Sequence, residues 1–217
     1  MTPDIQPGPG PFSTDCRRCS RLVAFLGQVR DEFPGYHCAP VPPFGDPAAR
    51  LLVVGLAPGM HGANATGRPF TGDHAGIILY DTLYRFGFAS GPESRSAEDG
   101  LRLLDCRITN AVKCLPPQNK PSTGEVQTCN PYLAAELTGL PTGALVLALG
   151  TLAHAAVLSA LGLKPAAFHF AHGAEHGISP TLRLLDSYHC SRYNTQTRRL
   201  TEPMFHAIFA RARALLP

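Results

Sequence analysis

The chain has 217 residues, 44% of them hydrophobic, and a formal net charge of +3 from 19 Lys or Arg against 16 Asp or Glu. This size and apolar share predict one globular domain with a substantial core, and so small a charge does not by itself establish a nucleic-acid partner. The sequence has no apolar run near the roughly 20 residues of a membrane span and no signal-peptide pattern at its start, so a cytoplasmic protein with no membrane partner is expected.

In chain order, residues 1–15 read as a flexible tail rich in Pro and Gly, and 16–217 as a single domain. Cys16 and Cys19 stand in a C-x2-C pair that leads into a helix over about Ser20–Val29. A proline-rich crossing containing Cys38 precedes Leu51, Leu52, Val53 and Val54, an apolar β-branched run that predicts a buried parallel strand. Gly55, Pro58, Gly59, Gly62 and Gly67 follow and forbid regular structure for about a dozen residues. Asp73 then stands where it can cap a helix over Ala75–Phe86.

Residues 89–106 read as a loop with one short helix. Arg107–Lys113 predicts a second strand, Thr123–Leu137 a helix, Ala144–Leu149 a third strand and Thr151–Leu161 a helix. After a passage containing His169, His172 and His176, Thr181–Ser187 predicts a fourth strand, the last loop begins at Tyr188, and Glu202–Leu215 closes the chain as a helix. Strands alternating with helices at this spacing predict a three-layer α/β/α domain around a mostly parallel four-stranded sheet. The loops after strands one, two and four should then open at one edge of the sheet. They hold Phe70 and Asp73, then Asn110 and Asn119, then His189 and Asn194.

Seven cysteines are poor disulfide candidates in a reducing compartment. Cys16, Cys19, Cys114 and Cys129 form two pairs able to ligate zinc or an iron–sulfur cluster. The second pair does not repeat C-x2-C, which favours the cluster; four reduced, buried thiols are the alternative. Cys38, Cys106 and Cys190 have no spacing signal. The glycine stretch lacks both the lysine of a nucleotide-binding P-loop and the G-x-G-x-x-G dinucleotide fingerprint. From Thr181 onward six arginines face only Asp186 and Glu202, a local basic tilt that suits phosphate contacts, though a solvated face is the commoner reason for surface charge.

Three segments together resemble the uracil-DNA glycosylase superfamily in its iron–sulfur branch. GLAPGMHGANATGRPFTGD is similar to its first motif, TNAVKCLPPQNKPS to its second-strand segment, and SYHCSRYNTQT to its DNA-intercalating loop. Leu56 stands where one iron–sulfur family has Glu, and the pattern resembles the fifth, type b, family. The resemblance implies hydrolysis of the N-glycosidic bond of uracil, and also of hypoxanthine or xanthine, flipped out of double- or single-stranded DNA. It places a structural 4Fe-4S cluster on Cys16, Cys19, Cys114 and Cys129, with zinc as the alternative, in a monomer.

The resemblance also distributes roles. Phe70 is the expected floor under the flipped base, with Gly59 and Asn110 completing the pocket, Asn110 by pairing with the uracil edge, and Asn194 either shaping the pocket or holding the loop. His189 is the expected donor to the charge developing on uracil O2. Leu56 cannot activate water, so that work falls to Asp73 and Asn119. Arg192 and Tyr193 are wedge candidates, and Arg198 and Arg199 phosphate contacts. Ordinary packing for Phe70, backbone satisfaction for Asn110 and helix capping for Asp73 are the competing explanations. Two other functions remain open at this point: a non-catalytic nucleic-acid-binding module stapled by metal, and an iron–sulfur electron carrier.

Overall fold

The computed structural model describes residues 12–216. Its centre is a six-stranded sheet in the order β1-β3-β2-β4-β6-β5. The four inner strands are β2 (Leu51–Gly55), β3 (Cys106–Asn110), β4 (Ala144–Leu149) and β6 (Leu182–Ser187), all mutually parallel where they pair. Two short antiparallel strands, β1 (Phe44–Gly45) and β5 (Glu175–Gly177), close the edges. The expected four-stranded sheet is thus its parallel centre. The edge strands escaped notice because two or three residues hold no readable alternation.

Alternate residues of the central strands feed two cores, as the strand period of two requires. Leu51, Val53, Leu145 and Leu147 pack on one face, with α3 (His74–Arg85) and α7 (Glu202–Leu215) over them. Leu52, Val54, Val146 and Leu184 pack on the other, under α4 (Thr123–Thr138) and α5 (Thr151–Ala160). A smaller cluster joins α1 (Ser20–Glu32) to Val112, Leu115 and Tyr132. Arg21 on α1 grips Glu125 on α4 with both ends of its guanidinium, at 2.8 and 2.6 Å, while Glu125 also completes a capping box with Ser122.

The parallel register aligns Gly55 with Asn110, and Leu149 with Ser187. The loops leaving β2, β3 and β6 therefore open on one edge, where α/β sheets bind their ligands.

Four local expectations change. The glycine stretch does contain a helical turn, α2 (Ala63–Thr66), started by Gly62 and stopped by Gly67 in the left-handed region. The second strand ends at Asn110 rather than Lys113, where β2 also ends: Ala111 and Val112 donate to the carbonyls of Gly55, the last residue of β2, and of Leu56 just past it. Residues 89–105 hold no helix, only an antiparallel bridge between Ala89 and Leu103. The last loop contains α6 (Arg192–Gln196), its N-terminus capped by Ser191. Of the expected tail, residues 1–11 lie outside the described residues, while Phe12 packs edge-on against Tyr132, ring centres 5.6 Å apart.

Candidate active site

Beyond the ends of β2 and β3 lies a cavity of about 210 Å³. Leu56, Ala57, Gly59, Ala63, Phe70, Asp73, Asn110, Asn119 and His189 line it. Six of these nine are residues that sequence reasoning placed in the site, brought in from positions 59 to 189. Ala57 and Ala63 were missed, since a small apolar residue in a glycine-rich loop gives no chemical signal.

Close approach of chain segments shapes the cavity. Phe70 stands in the left-handed region with φ of 55°, a conformation costly for an aromatic residue. Its surroundings hold it there. Arg68 is buried and donates to Ser94 Oγ at 2.9 Å, Asp99 Oδ1 at 2.7 Å and the Ala97 carbonyl at 2.7 Å. Tyr80 donates to the Pro69 carbonyl at 2.8 Å, and Thr71 shares a 2.7 Å hydrogen bond with Ser94. At Gly55 a side chain would meet Asn110 Oδ1 at 2.4 Å and the Phe70 ring at 2.7 Å, so β2 must end in glycine for both residues to sit where they do.

Asp73 divides its carboxylate. Oδ1 accepts from the Gly76 amide at 2.9 Å, capping α3. The other oxygen faces Gly59 and Gly62; a side chain at Gly62 would come within 2.5 Å of it. Capping and a place in the cavity are therefore compatible for this residue. Asn110 is buried, and its side-chain oxygen has no hydrogen-bond partner among the described residues. An unsatisfied buried acceptor costs on the order of 1–3 kcal/mol and is a common mark of a ligand-facing group. Asn119 reaches the cavity from the loop after β3, where Gln118 and Asn119 both take left-handed φ, 55° and 57°.

His189 stacks against Phe70, ring centres 5.9 Å apart and planes inclined by 30°. Burial lowers its pKa below the ordinary histidine value, and the nearby Asp73 carboxylate opposes that shift in part. Asn194 does not line the cavity; its side-chain amide donates to the His189 carbonyl at 2.8 Å and so braces the loop. Arg192, Tyr193, Arg198 and Arg199 are all exposed around α6. Tyr193 leaves 71% of its surface in solvent, although it is a large aromatic. His74, absent from sequence reasoning, ties the start of α3 to α6 through Thr195 Oγ1 at 3.0 Å, across 121 positions of chain.

The four paired cysteines surround a second, smaller cavity together with Phe12, Leu22, Lys113 and Tyr132. Burial first, then the crowding of Cys129, Cys16 and Cys19, pushes the Cys114 thiol up to about 12. The Lys113 amide donates to Cys129 Sγ at 3.3 Å. Cys106 and Cys190 are buried elsewhere, while Cys38 is buried in the same apolar cluster as Cys114 and Cys129 without lining this cavity.

A family model of the uracil DNA glycosylase superfamily matches residues 42–213. The chain belongs to that superfamily. It is 47% identical over 207 residues to a type-5 uracil-DNA glycosylase of Thermus thermophilus, covering 93% of this chain and 94% of that protein. With a type-5 enzyme of Pyrobaculum aerophilum it shares 44% over 204 residues, 92% of this chain and 88% of the other. A type-4 uracil-DNA glycosylase of the same organism matches at 35% over only 57% of this chain and 56% of its own length. Membership in the superfamily covers every element that builds the cavity. Among the described residues, no helix is long and apolar enough to cross a membrane.

Proposed function

We propose that this protein removes uracil from DNA by hydrolysing the N-glycosidic bond, leaving an abasic site. One observation carries the reading. An aromatic floor, an amide with an unpaired oxygen, a carboxylate, a second amide and a half-buried imidazole converge on one cavity from four segments of chain. The relatives of similar length bear the same activity in their names.

In the reaction the C1′–N1 bond breaks and its electron pair leaves with the base, while water oxygen bonds C1′ and releases a proton, balanced by the one the departing base takes up at N1. Phe70 stacks on the flipped base, and Asn110 presents its amide to the base edge. His189, kept neutral by burial, donates to the charge that develops on uracil O2. Asp73 offers a carboxylate oxygen to the cationic sugar, and Asn119 positions the water. Leu56 leaves the first motif without a water-activating group, so this chemistry is spread over three loops. Tyr193 and Arg192 on α6 fill the gap left by the flipped base. Arg198 and Arg199 meet phosphate.

The donor set of Cys16, Cys19, Cys114 and Cys129 suits a 4Fe-4S cluster of structural function. Four thiolates gathered at one largely apolar site would need a cationic group to balance their charge. An N–H donor on one sulfur is the usual tuning contact of such clusters. No three of the described cysteines bring their sulfurs within 4.8 Å of one another. A single tetrahedral zinc at about 2.3 Å from each sulfur would hold them closer than that. Bound there, the group joins the start of α1 to the loop bearing Asn119.

A duplex oligonucleotide with one deoxyuridine tests the reading. Incubation followed by hot alkali should cut the strand at that site; no cleavage for uracil, hypoxanthine or xanthine in any pairing would leave only a nucleic-acid-binding role.

A further inference from the structure

The histidine-rich passage before β6 takes no part in the chemistry above, yet it packs against the strand end that bears His189. Gly173 donates to the Asp186 carbonyl, and Asp186 donates to the Ala174 carbonyl, so this passage pairs with β6 almost to its last residue. On the other side of β6, Gly150 donates to the Ser187 carbonyl. One residue further the ladder stops, and the next amide, that of Tyr188, finds no backbone acceptor among the described residues. It donates instead to His172 Nδ1 at 3.1 Å.

The two rings also stack, with centres 5.0 Å apart and planes inclined by only 19°. The Arg199 guanidinium packs over the same tyrosine ring, 4.7 Å from its centre. His172 thus holds Tyr188 by both backbone and ring, at the position immediately before His189. To accept from an amide, Nδ1 must carry a lone pair, which fixes His172 as the neutral tautomer with its proton on Nε2. Burial lowers its pKa and so favours that form.

We propose that His172 is a positioning residue for His189: it terminates the β6 ladder in place of a backbone carbonyl and so fixes where the His189 imidazole enters the cavity. The proposal rests on the glycosylase reading for its effect on turnover but not for the contact itself. Asn194 holds the carbonyl of His189, on the far side. The loop is therefore pinned on both flanks of the imidazole, by side chains rather than by sheet.

Two variants separate a specific hold from general packing. His172→Phe keeps the stacked ring and removes the acceptor, whereas His172→Asn keeps an acceptor oxygen near the place of Nδ1. Misplacement of a reacting group by about an ångström costs up to about 100-fold in rate. The Phe variant should therefore lose about 10- to 100-fold in kcat on a deoxyuridine duplex, with KM little changed. The Asn variant should recover most of that loss. Wild-type kcat in the Phe variant, or equal losses in both folded variants, would overturn the proposal.

Amide hydrogen exchange in the unaltered protein gives a readout independent of activity and of any variant's folding. The Tyr188 amide should be protected, and exchange as fast as that of an unbonded surface amide would overturn the proposal even if the kinetics agreed. An unaltered protein inactive on uracil would defeat the glycosylase reading alone, and the Tyr188 amide would still decide whether His172 holds the loop.

Discussion

The rings of Phe70 and His189 lie 5.9 Å apart, inclined by 30°. Two stacking layers need about 6.8 Å, twice the 3.4 Å spacing of bases along a strand. A base is therefore not sandwiched between these rings as they stand. The proposed reaction has the base stack on Phe70 alone and meet His189 at its edge, the direction from which a hydrogen bond to a base oxygen must come. Replacing His189 with Ala should lower kcat by about 100- to 1000-fold, the usual cost of a lost oxyanion donor, with DNA binding largely kept. Equal losses in binding and turnover would make it a binding residue instead.

The same histidine makes a pH prediction. Its folded pKa is depressed by burial, so between that value and about 6.5 the unfolded chain binds a proton that the folded chain does not. Its share of stability is complete above about pH 6.5 and is lost as pH falls below it. Urea unfolding at about pH 7.5 and about pH 5.5 should show a smaller difference for His189→Ala than for the unaltered protein. An identical difference would mean that the imidazole titrates normally.

Gly55 places Phe70 and Asn110 together. A methyl group there would sit 2.4 Å from Asn110 Oδ1 and 2.7 Å from the Phe70 ring, so both must move. Gly55→Ala should cost about 1–3 kcal/mol by overpacking and impair uracil release beyond that loss of stability. Asn110→Ala, which leaves the backbone alone, should reduce the preference for uracil over hypoxanthine in competition assays. An unchanged ratio would remove Asn110 from base readout.

Arg68 and Asp99 are a nearly buried pair, with side chains 5% and 15% exposed. Burial raises the Asp99 pKa, but the Arg68 guanidinium and the amides of Leu101, Arg95 and Ser96 outweigh it and hold the carboxyl down at about 2. Its share of stability is present above the unfolded carboxylate value and lost as pH falls toward 2. Arg68→Met should destabilise the protein by about 3–5 kcal/mol, as breaking a buried pair does, and shift its acid unfolding to higher pH. A loss under about 1 kcal/mol in urea unfolding would show that solvent screens this pair as it does a surface one.

Cys129→Ser removes one of the four grouped thiols. The purified variant should lose the brown colour and iron of a cluster and melt at a lower temperature than the unaltered protein. Full iron content would take Cys129 out of the ligand set, and zinc in a colourless unaltered protein would replace the cluster.

Periodicity and punctuation in the sequence determine the four parallel strands, the five long helices and the edge at which their loops gather. Burial of Leu51–Val54 between two cores leaves their pattern no other use. The residues of the cavity were also legible, because Asn110 ends a strand, Phe70, Asp73 and His189 stand at irregular positions after a strand or before a helix, and the three motifs fall in order. What only the tertiary structure decided is how those groups are held. That Asn194 takes the loop-bracing one of its two expected places, that His74 reaches Thr195, and that His172 ends the β6 ladder all depend on contacts between segments distant in sequence or hidden in irregular loops. No local pattern encodes such contacts: two arise where a backbone group has left the ladder and a nearby side chain satisfies it, and the third joins two side chains across the fold.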